Sequence, residues 1–301
     1  MKEAKWIWNN NKFVLWKNAT THVMSHGLHY GTGVFEGIRA YNGSIFRMED
    51  HYKRFFNSSK VAGIKIPFSR NKLESCTSQL LLKNKLKDCY IRPLAFVGDG
   101  SIGINPASNK INVIIAAFEW GTYLGEKAMS KGIKMKISSF KRMSVNSFMT
   151  KSKICGNYIN SVLAKKEALD QGYDEALLLD DNGYVSEGTG ENIFIIKNGK
   201  IKTTPVTSIL EGITRDCVFR IAEDNNISIK ESKFTRDELY IADEIFLSGT
   251  AAEITPVREV DNRKIGTGKP GPITKLIQKE YSNIVLGKNP NYNNWLHPIS
   301  N

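Results

Sequence analysis

A chain of 301 residues, 41% of them hydrophobic, is long enough for two domains or one large one and can bury a substantial core, so it should be globular. No apolar run approaches the roughly 20 residues a membrane-crossing helix needs, and the opening MKEAKWIWNNNK lacks the apolar centre of a secretory leader, which makes the cytoplasm the expected compartment. The net charge of +12 raises nucleic-acid or anionic-surface binding, but Lys83, Lys85, Lys87, Lys165 and Lys166 are interleaved with apolar residues as on a solvated helix face; part of the excess is expected to serve anionic substrates and a phosphate.

Short strands are predicted at Trp6 to Trp8 and Lys12 to Trp16, followed by the Gly-rich stretch HGLHYGTGVFEGIRAY and strands at Gly37 to Tyr41 and Ser44 to Arg47. Apolar residues at helical spacing predict helices over Met48 to Val61 and Arg70 to Asn84. Tyr90 to Val97 and Ile111 to Trp120 read as strands rich in β-branched and aromatic residues. The polar, Gly-containing segment Gly121 to Gly132 marks an interdomain connection, and the strand pattern resumes at Ile133 to Phe140. The division this suggests is a small N-terminal α/β domain at 1–125, an interdomain loop at 126–137 and a larger C-terminal domain at 138–301.

In the second half, Asn157 to Asp170 is amphipathic. Ala176 to Asp180 and Tyr184 to Ser186 flank Asp181, Asn182 and Gly183, while Asn192 to Lys197 and Lys200 to Thr203 flank Asn198 and Gly199. Both are hairpin signals, because Asn-Gly supplies the positive φ angles of a tight turn. Helices are predicted at Thr214 to Asp224, Arg236 to Ala242 and Pro272 to Leu286. The cysteines Cys76, Cys89, Cys155 and Cys217 form neither a CxxC pair nor a dense cluster, which disfavours a metal or a disulfide framework.

The chemistry gathers at KSKICGNYIN (Lys151 to Asn160) and YVSEGTGEN (Tyr184 to Asn192). A desolvated lysine loses its proton and condenses with a carbonyl to form a Schiff base. A carboxylate can then partner the ring nitrogen of an aldehyde cofactor such as pyridoxal 5'-phosphate. At 4 Å and an effective dielectric near 20, that pairing is worth roughly 4 kcal/mol before desolvation is subtracted. Lys153 stands just before a helix that opens with Asn157 and Tyr158, and the Tyr158 hydroxyl is placed to bond the cofactor's phenolic oxygen. Composition alone leaves Glu187 and Glu191 both open as the carboxylate. For the phosphate, Thr214 at a helix start, Thr250 in SGTAAE and Arg54 on the Met48 to Val61 helix are candidates, since helix N-termini favour anions, although plain capping is the commoner use of such threonines. His26 and His29 have a metal-like spacing without a third ligand cluster. No Walker loop, GxSxG elbow or dinucleotide fingerprint is present.

Taken together, HYGTGVFEGIRAY from His29, YIRP from Tyr90, GINP from Gly103, KICGNY from Lys153, SEGTGEN from Ser186, EGITRD from Glu211, SGTAAEITPV from Ser248 and PGPITK from Pro270 give a chain that resembles the branched-chain amino-acid aminotransferases of the fold-type IV pyridoxal-phosphate enzymes. The resemblance implies an α/β fold of the α+β type, two domains with the cofactor in the cleft between them, and the reactive lysine, Lys153, in the larger one. It implies that Glu187 pairs with the pyridine nitrogen, that Tyr158 bonds the ring oxygen, and that Arg54, Thr214, Thr250 and the backbone at Ile213 hold the phosphate. On the substrate side it implies Tyr30, Phe35, Gly37, Trp120 and Tyr123 around an apolar side chain, Tyr90 and Arg92 for carboxylates, and the Ala251 N–H. Tyr30 and the loop bearing Ile104 would reach the pocket of a neighbouring subunit, making a homodimer the minimum unit.

The reaction so implied moves an amino group between leucine, isoleucine or valine and 2-oxoglutarate. The chain departs from the family upstream of the lysine, where Phe148, Met149, Thr150, Lys151 and Ser152 replace a proline and small residues; alignment through GNY selects Lys153 over Lys151. Rival readings are a D-amino-acid aminotransferase or aminodeoxychorismate lyase of the same fold type, against which YIR and GINP speak, and a basic nucleic-acid-binding protein.

Overall fold

Asparagine tolerates the left-handed backbone a two-residue hairpin turn requires, and this chain uses that freedom repeatedly. In the computed structural model, which describes residues 2–121 and 125–299, Asn10 and Asn11 (φ 45° and 68°) join β1 (Trp6–Asn9) to β2 (Lys12–Leu15). After a short helix α1 (His26–Tyr30) and strand β3 (Gly33–Phe35), Asn42 and Gly43 (φ 47° and 80°) join β4 (Ile38–Tyr41) to β5 (Ser44–Phe46). Helices α2 (Met48–Val61) and α3 (Arg70–Asn84) follow, then the long antiparallel pair β6 (Cys89–Val97) and β7 (Ile111–Phe118).

The chain divides into two compact units. The first comprises Met1–Gly121, Ser152–Asn157 and Val285–Asn301; the second comprises Thr122–Lys151 and Tyr158–Ile284. In the first, α2 and α3 carry Tyr52, Phe55, Leu73 and Leu80 into a core completed by Ile38, Ile45, Ile91 and Ile115, all fully buried. Each such side chain contributes about 1.5–3 kcal/mol on leaving water. β7 alternates buried and half-buried residues, the signature of a sheet covered more completely on one face.

The second unit begins with α4 (Glu126–Lys131), β8 (Ile133–Ile137), α5 (Tyr158–Asp170) and the hairpin of β9 (Glu175–Leu179) with β10 (Val185–Gly188). The β9–β10 turn is held by the Asp180 carboxylate, which accepts from the Asn182 and Tyr184 N–H groups at 2.9 Å each. β11 (Asn192–Lys197) turns into β12 (Lys200–Thr203) through Asn198 and Gly199 (φ 50° and 73°). Then come α6 (Ile213–Asp224), β13 (Ile229–Glu231), α7 (Arg236–Tyr240), β14 (Glu244–Gly249), β15 (Glu253–Val260), β16 (Arg263–Lys264) and α8 (Pro272–Val285).

The sheet runs β10-β9-β8-β15-β14-β11-β12-β13, with β16 on β15. Its central strands are buried along nearly their whole length, as expected of strands covered on both faces. On one face Met135, Leu177, Ile193 and Leu247 pack with Phe234 and Leu239. α6 lies against β14, and across the β11–β14 pair Phe194 and Phe246 stack at 4.8 Å. β17 (Leu296–Pro298) then pairs with β5, so the first sheet runs β17-β5-β4-β6-β7-β1-β2, with β3 on β6.

Two expectations are corrected. Residues 126–137 are not a loop: α4 fills the first part, and β8, within the strand expected from Ile133, fills the rest, paired in parallel with β15 and β9. Lys153 does not belong to a continuous unit 138–301; Ser152–Asn157 forms part of the first unit, where the Phe35 N–H donates to the Lys153 carbonyl (3.1 Å) and the Gly156 N–H to the Gly31 carbonyl (3.0 Å). Among the described residues no helix is long and apolar enough to cross a membrane.

Candidate active site

In the first unit the face of α2 that points inward bears His51, Arg54 and Ser58, spaced so that a helix stacks them along one side. The Lys153 N–H donates to Ser58 Oγ (3.0 Å). With Phe35 on its carbonyl, the lysine's backbone is held on both sides. Its side chain is half-buried and its ammonium lies 4.9 Å from the centre of the Phe35 ring, a cation–π distance. Lys151, two residues earlier, is exposed.

Arg54 is fixed by Glu36: its Nε donates to Oε1 (2.7 Å) and its Nη2 to Oε2 (2.9 Å). His51 Nδ1 lies 2.8 Å from the same Oε2, and the Gly37 N–H donates to it at 3.2 Å. Burial opposes a charge on Glu36, but the Arg54 guanidinium and the His51 hydrogen bond outweigh it and hold the carboxyl well below the usual carboxylate range. Burial pushes His51 down, in part offset by Glu36 and reinforced by the Arg54 and Lys153 cations, so its ring is neutral and its Nδ1 carries the proton given to Glu36.

The expected substrate residues Phe35, Gly37, Tyr90, Arg92 and Trp120 come together here. Arg92 Nη2 donates to Tyr90 Oη (3.2 Å) and the guanidinium lies 4.7 Å from the Phe35 ring centre. Trp120 meets Tyr90 edge-on at 4.8 Å. Gly37 is required: a Cβ there would sit 1.8 Å from Tyr90 Oη. Arg92 Nε is buried with no protein acceptor, which suits a carboxylate. Tyr30 is half exposed and donates to the Ile102 carbonyl (3.0 Å), on the loop that bears the exposed Ile104. Tyr123 lies outside the described residues.

In the second unit Glu187, on β10, is buried. Arg142 Nη2 meets its Oε1 at 2.7 Å, Asn192 Nδ2 donates to Oε2 (3.3 Å), and the Leu210 N–H donates at 3.2 Å. Glu191 is equally buried, but burial and the Glu175 carboxylate push it up to about 8. Of the two carboxylates left open by the sequence, Glu187 has the cationic partner, and Glu191 holds a proton at neutral pH.

α6 starts at Gly212 with no side-chain cap, leaving first-turn N–H groups for an anion. Gly212 packs so tightly on Asn192 that a Cβ would lie 2.2 Å from Oδ1, which ties the helix start to the residue holding Glu187. Ile213 and Thr214 are buried in that first turn, and Thr250 and Ala251 are half-buried just beyond β14. Ser248 Oγ, paired in register with Asn192, is buried without a partner. Tyr158 is half-buried as the first residue of α5. A phosphorylated heterocycle with a basic ring nitrogen suits this donor set. The histidine rings take other partners: His26 bonds Thr32 Oγ1 (2.7 Å) and the Gly103 carbonyl (3.0 Å), and His29 the Val23 carbonyl (2.9 Å).

Glu36, His51, Ser58, Arg142 and Asn192 escaped sequence reasoning. His51 and Ser58 could have been found at helical spacing around Arg54. Arg142 carries no local signal.

The Amino-transferase class IV family matches residues 33–260. The chain belongs to that family. It is 49% identical over 293 residues to the branched-chain-amino-acid aminotransferase of Pseudomonas aeruginosa, covering 96% of this chain and 95% of that one. The crystal structure of the Escherichia coli branched-chain amino acid aminotransferase superimposes with a TM-score of 0.97 at 45% identity, covering 99% of this chain and 100% of that one. A T.th. branched-chain amino acid aminotransferase crystallised with pyridoxamine 5'-phosphate gives 0.97 at 47%, over 100% of both chains. The two-unit architecture is therefore that of a fold-type IV class IV aminotransferase.

Proposed function

We propose that the protein is a branched-chain amino-acid transaminase, exchanging the amino group of leucine, isoleucine or valine with 2-oxoglutarate, with pyridoxal 5'-phosphate as its cofactor. The observation that carries this reading is the placement of Lys153: clamped at its backbone by Ser58 and Phe35, its ammonium over an aromatic ring that also stacks on Arg92. Membership of the class IV family and near-complete likeness to named branched-chain enzymes support it.

Lys153, Arg54, Tyr158, Glu187, Ile213, Thr214 and Thr250 would hold the cofactor, whose aldehyde captures the amino group and whose ring takes up the electron pair left at the substrate's Cα. Lys153 Nζ would serve as the base that takes the proton from the substrate's Cα and delivers it to the carbon that carried the cofactor's aldehyde. Glu187, kept in place by Arg142 and Asn192, presents a negative charge to the ring nitrogen. The Tyr158 hydroxyl donates to the ring oxygen.

Phe35, Trp120 and the bare Gly37 leave an apolar space for a branched side chain. Arg92 resolves the requirement that one pocket take both leucine and 2-oxoglutarate: without a second carboxylate it rests on Tyr90 and Phe35, and its Nε receives that carboxylate when one arrives. Exposed Tyr30 and Ile104 serve a second copy of the chain, making the homodimer the working unit.

Borohydride trapping followed by peptide mass mapping should place the adduct on Lys153. Lys153→Ala should lose the cofactor's absorbance and at least ~10²–10⁴-fold of leucine turnover; an adduct on another peptide would sink the proposal. Activity confined to D-amino acids would transfer it to the rival enzyme of the same fold type.

A further inference from the structure

Arginine is a long, many-rotamer side chain, and one that must meet an anion loses that freedom on binding unless the protein has already removed it. Arg54 is held before any ligand arrives. Glu36, fully buried at the turn after β3, takes Nε and Nη2, one edge of the planar fork, and so sets the plane and heading of the opposite edge. His51, 2.8 Å from Glu36 Oε2 and itself buried, and the Gly37 N–H hold the carboxylate against rotation.

The same turn reaches the reactive lysine. Phe35, immediately before Glu36, donates its N–H to the Lys153 carbonyl, while Ser58, one turn of α2 beyond Arg54, accepts from the Lys153 N–H. Phe35–Gly37 and α2 therefore bracket Arg54 and the Lys153 backbone together. A carboxylate beside an arginine also cancels part of its charge, weakening its pull on a second anion. The arrangement gives up attraction in return for direction, which makes it suited to a ligand of fixed geometry.

We infer that Glu36, seconded by His51, is the positioning residue of the cofactor site, aligning Arg54 for the phosphate of the cofactor and holding it in register with Lys153. The inference rests on the proposed role of Arg54 as a phosphate ligand.

The test compares two ligands on the full-length protein freed of cofactor: pyridoxal 5'-phosphate and pyridoxal, which lacks the phosphate. Glu36→Gln, near-isosteric, should weaken the phosphorylated ligand about 10-fold, the equivalent of one charge-assisted hydrogen bond, and leave pyridoxal within about 2-fold. His51→Leu should act in the same phosphate-selective sense by roughly 3- to 10-fold, and provides the measurement if Glu36→Gln does not fold. Equal weakening of both ligands would mean a merely structural role and overturn the inference. So would unchanged or tighter binding of the phosphorylated ligand by Glu36→Gln, provided Arg54→Ala weakens it. An Arg54→Ala protein that keeps wild-type preference for the phosphorylated ligand would instead overturn the role of Arg54 itself.

Discussion

Glu36 in the first unit and Glu191 in the second are both buried carboxylates, yet they take opposite charge states. Glu36 meets an arginine fork and a histidine and stays ionised. Glu191 meets Glu175, whose own cation, Lys165, sits 2.6 Å from Glu175 Oε2, and it keeps its proton. Burial penalises the charge in both; the neighbour decides which side wins. The ionised one holds the Arg54 guanidinium, and the protonated one lies near Glu187 and Glu175 without adding a further negative charge.

The largest test removes the cation. Arg54→Leu leaves Glu36 buried with no cation, only the neutral His51 and the Gly37 N–H, and urea denaturation should show a loss of about 3–5 kcal/mol. A loss below about 1 kcal/mol would mean that Glu36 simply takes up a proton, and the contrast with Glu191 would vanish.

The second test uses pH. The folded pKa of Glu191 lies above its unfolded value of 4.5, at about 8. Its folded form therefore binds more protons, and its contribution, complete below about 4.5, is lost as pH rises toward 8. For Glu36 the sign reverses: its contribution is present above 4.5 and lost on acidification. Glu191→Gln should therefore flatten the decline in stability between about pH 5 and 8, by on the order of 1–3 kcal/mol, while leaving the acid limb intact. An unchanged slope would refute the protonated state.

The smallest effect sets the baseline. Lys166 and Asp170 pair at 2.8 Å with both side chains mostly exposed, and Lys166→Ala should change stability by less than about 0.5 kcal/mol.

Local chemistry made much of this legible from sequence. The Asn198-Gly199 turn, the helices on either side of Ser69 and the strands around Ile91 and Ile193 follow from turn residues and period, and Lys153 stood out through its neighbours. What stayed hidden depends on distant partners. β17 is three residues of no distinctive pattern until β5 offers an edge. α4 has only six residues, too few for a periodic signal. Glu36 sat unremarked inside a motif because its partner is an arginine eighteen positions on, and Arg142 reaches Glu187 across forty-five residues of irregular and regular chain alike.

The first unit is assembled from three separated stretches, the last of them beginning at Val285. On the ribosome, where N-terminal domains ordinarily fold first, this one must wait: β5 has no outer neighbour until Leu296–Pro298 have been translated, and Phe35 no lysine carbonyl to greet until residue 153 emerges. The nascent protein thus fixes the Lys153 backbone only after half the chain is made, and a chain cut short before Val285 is born with β5, not β17, at the rim of that unit's sheet.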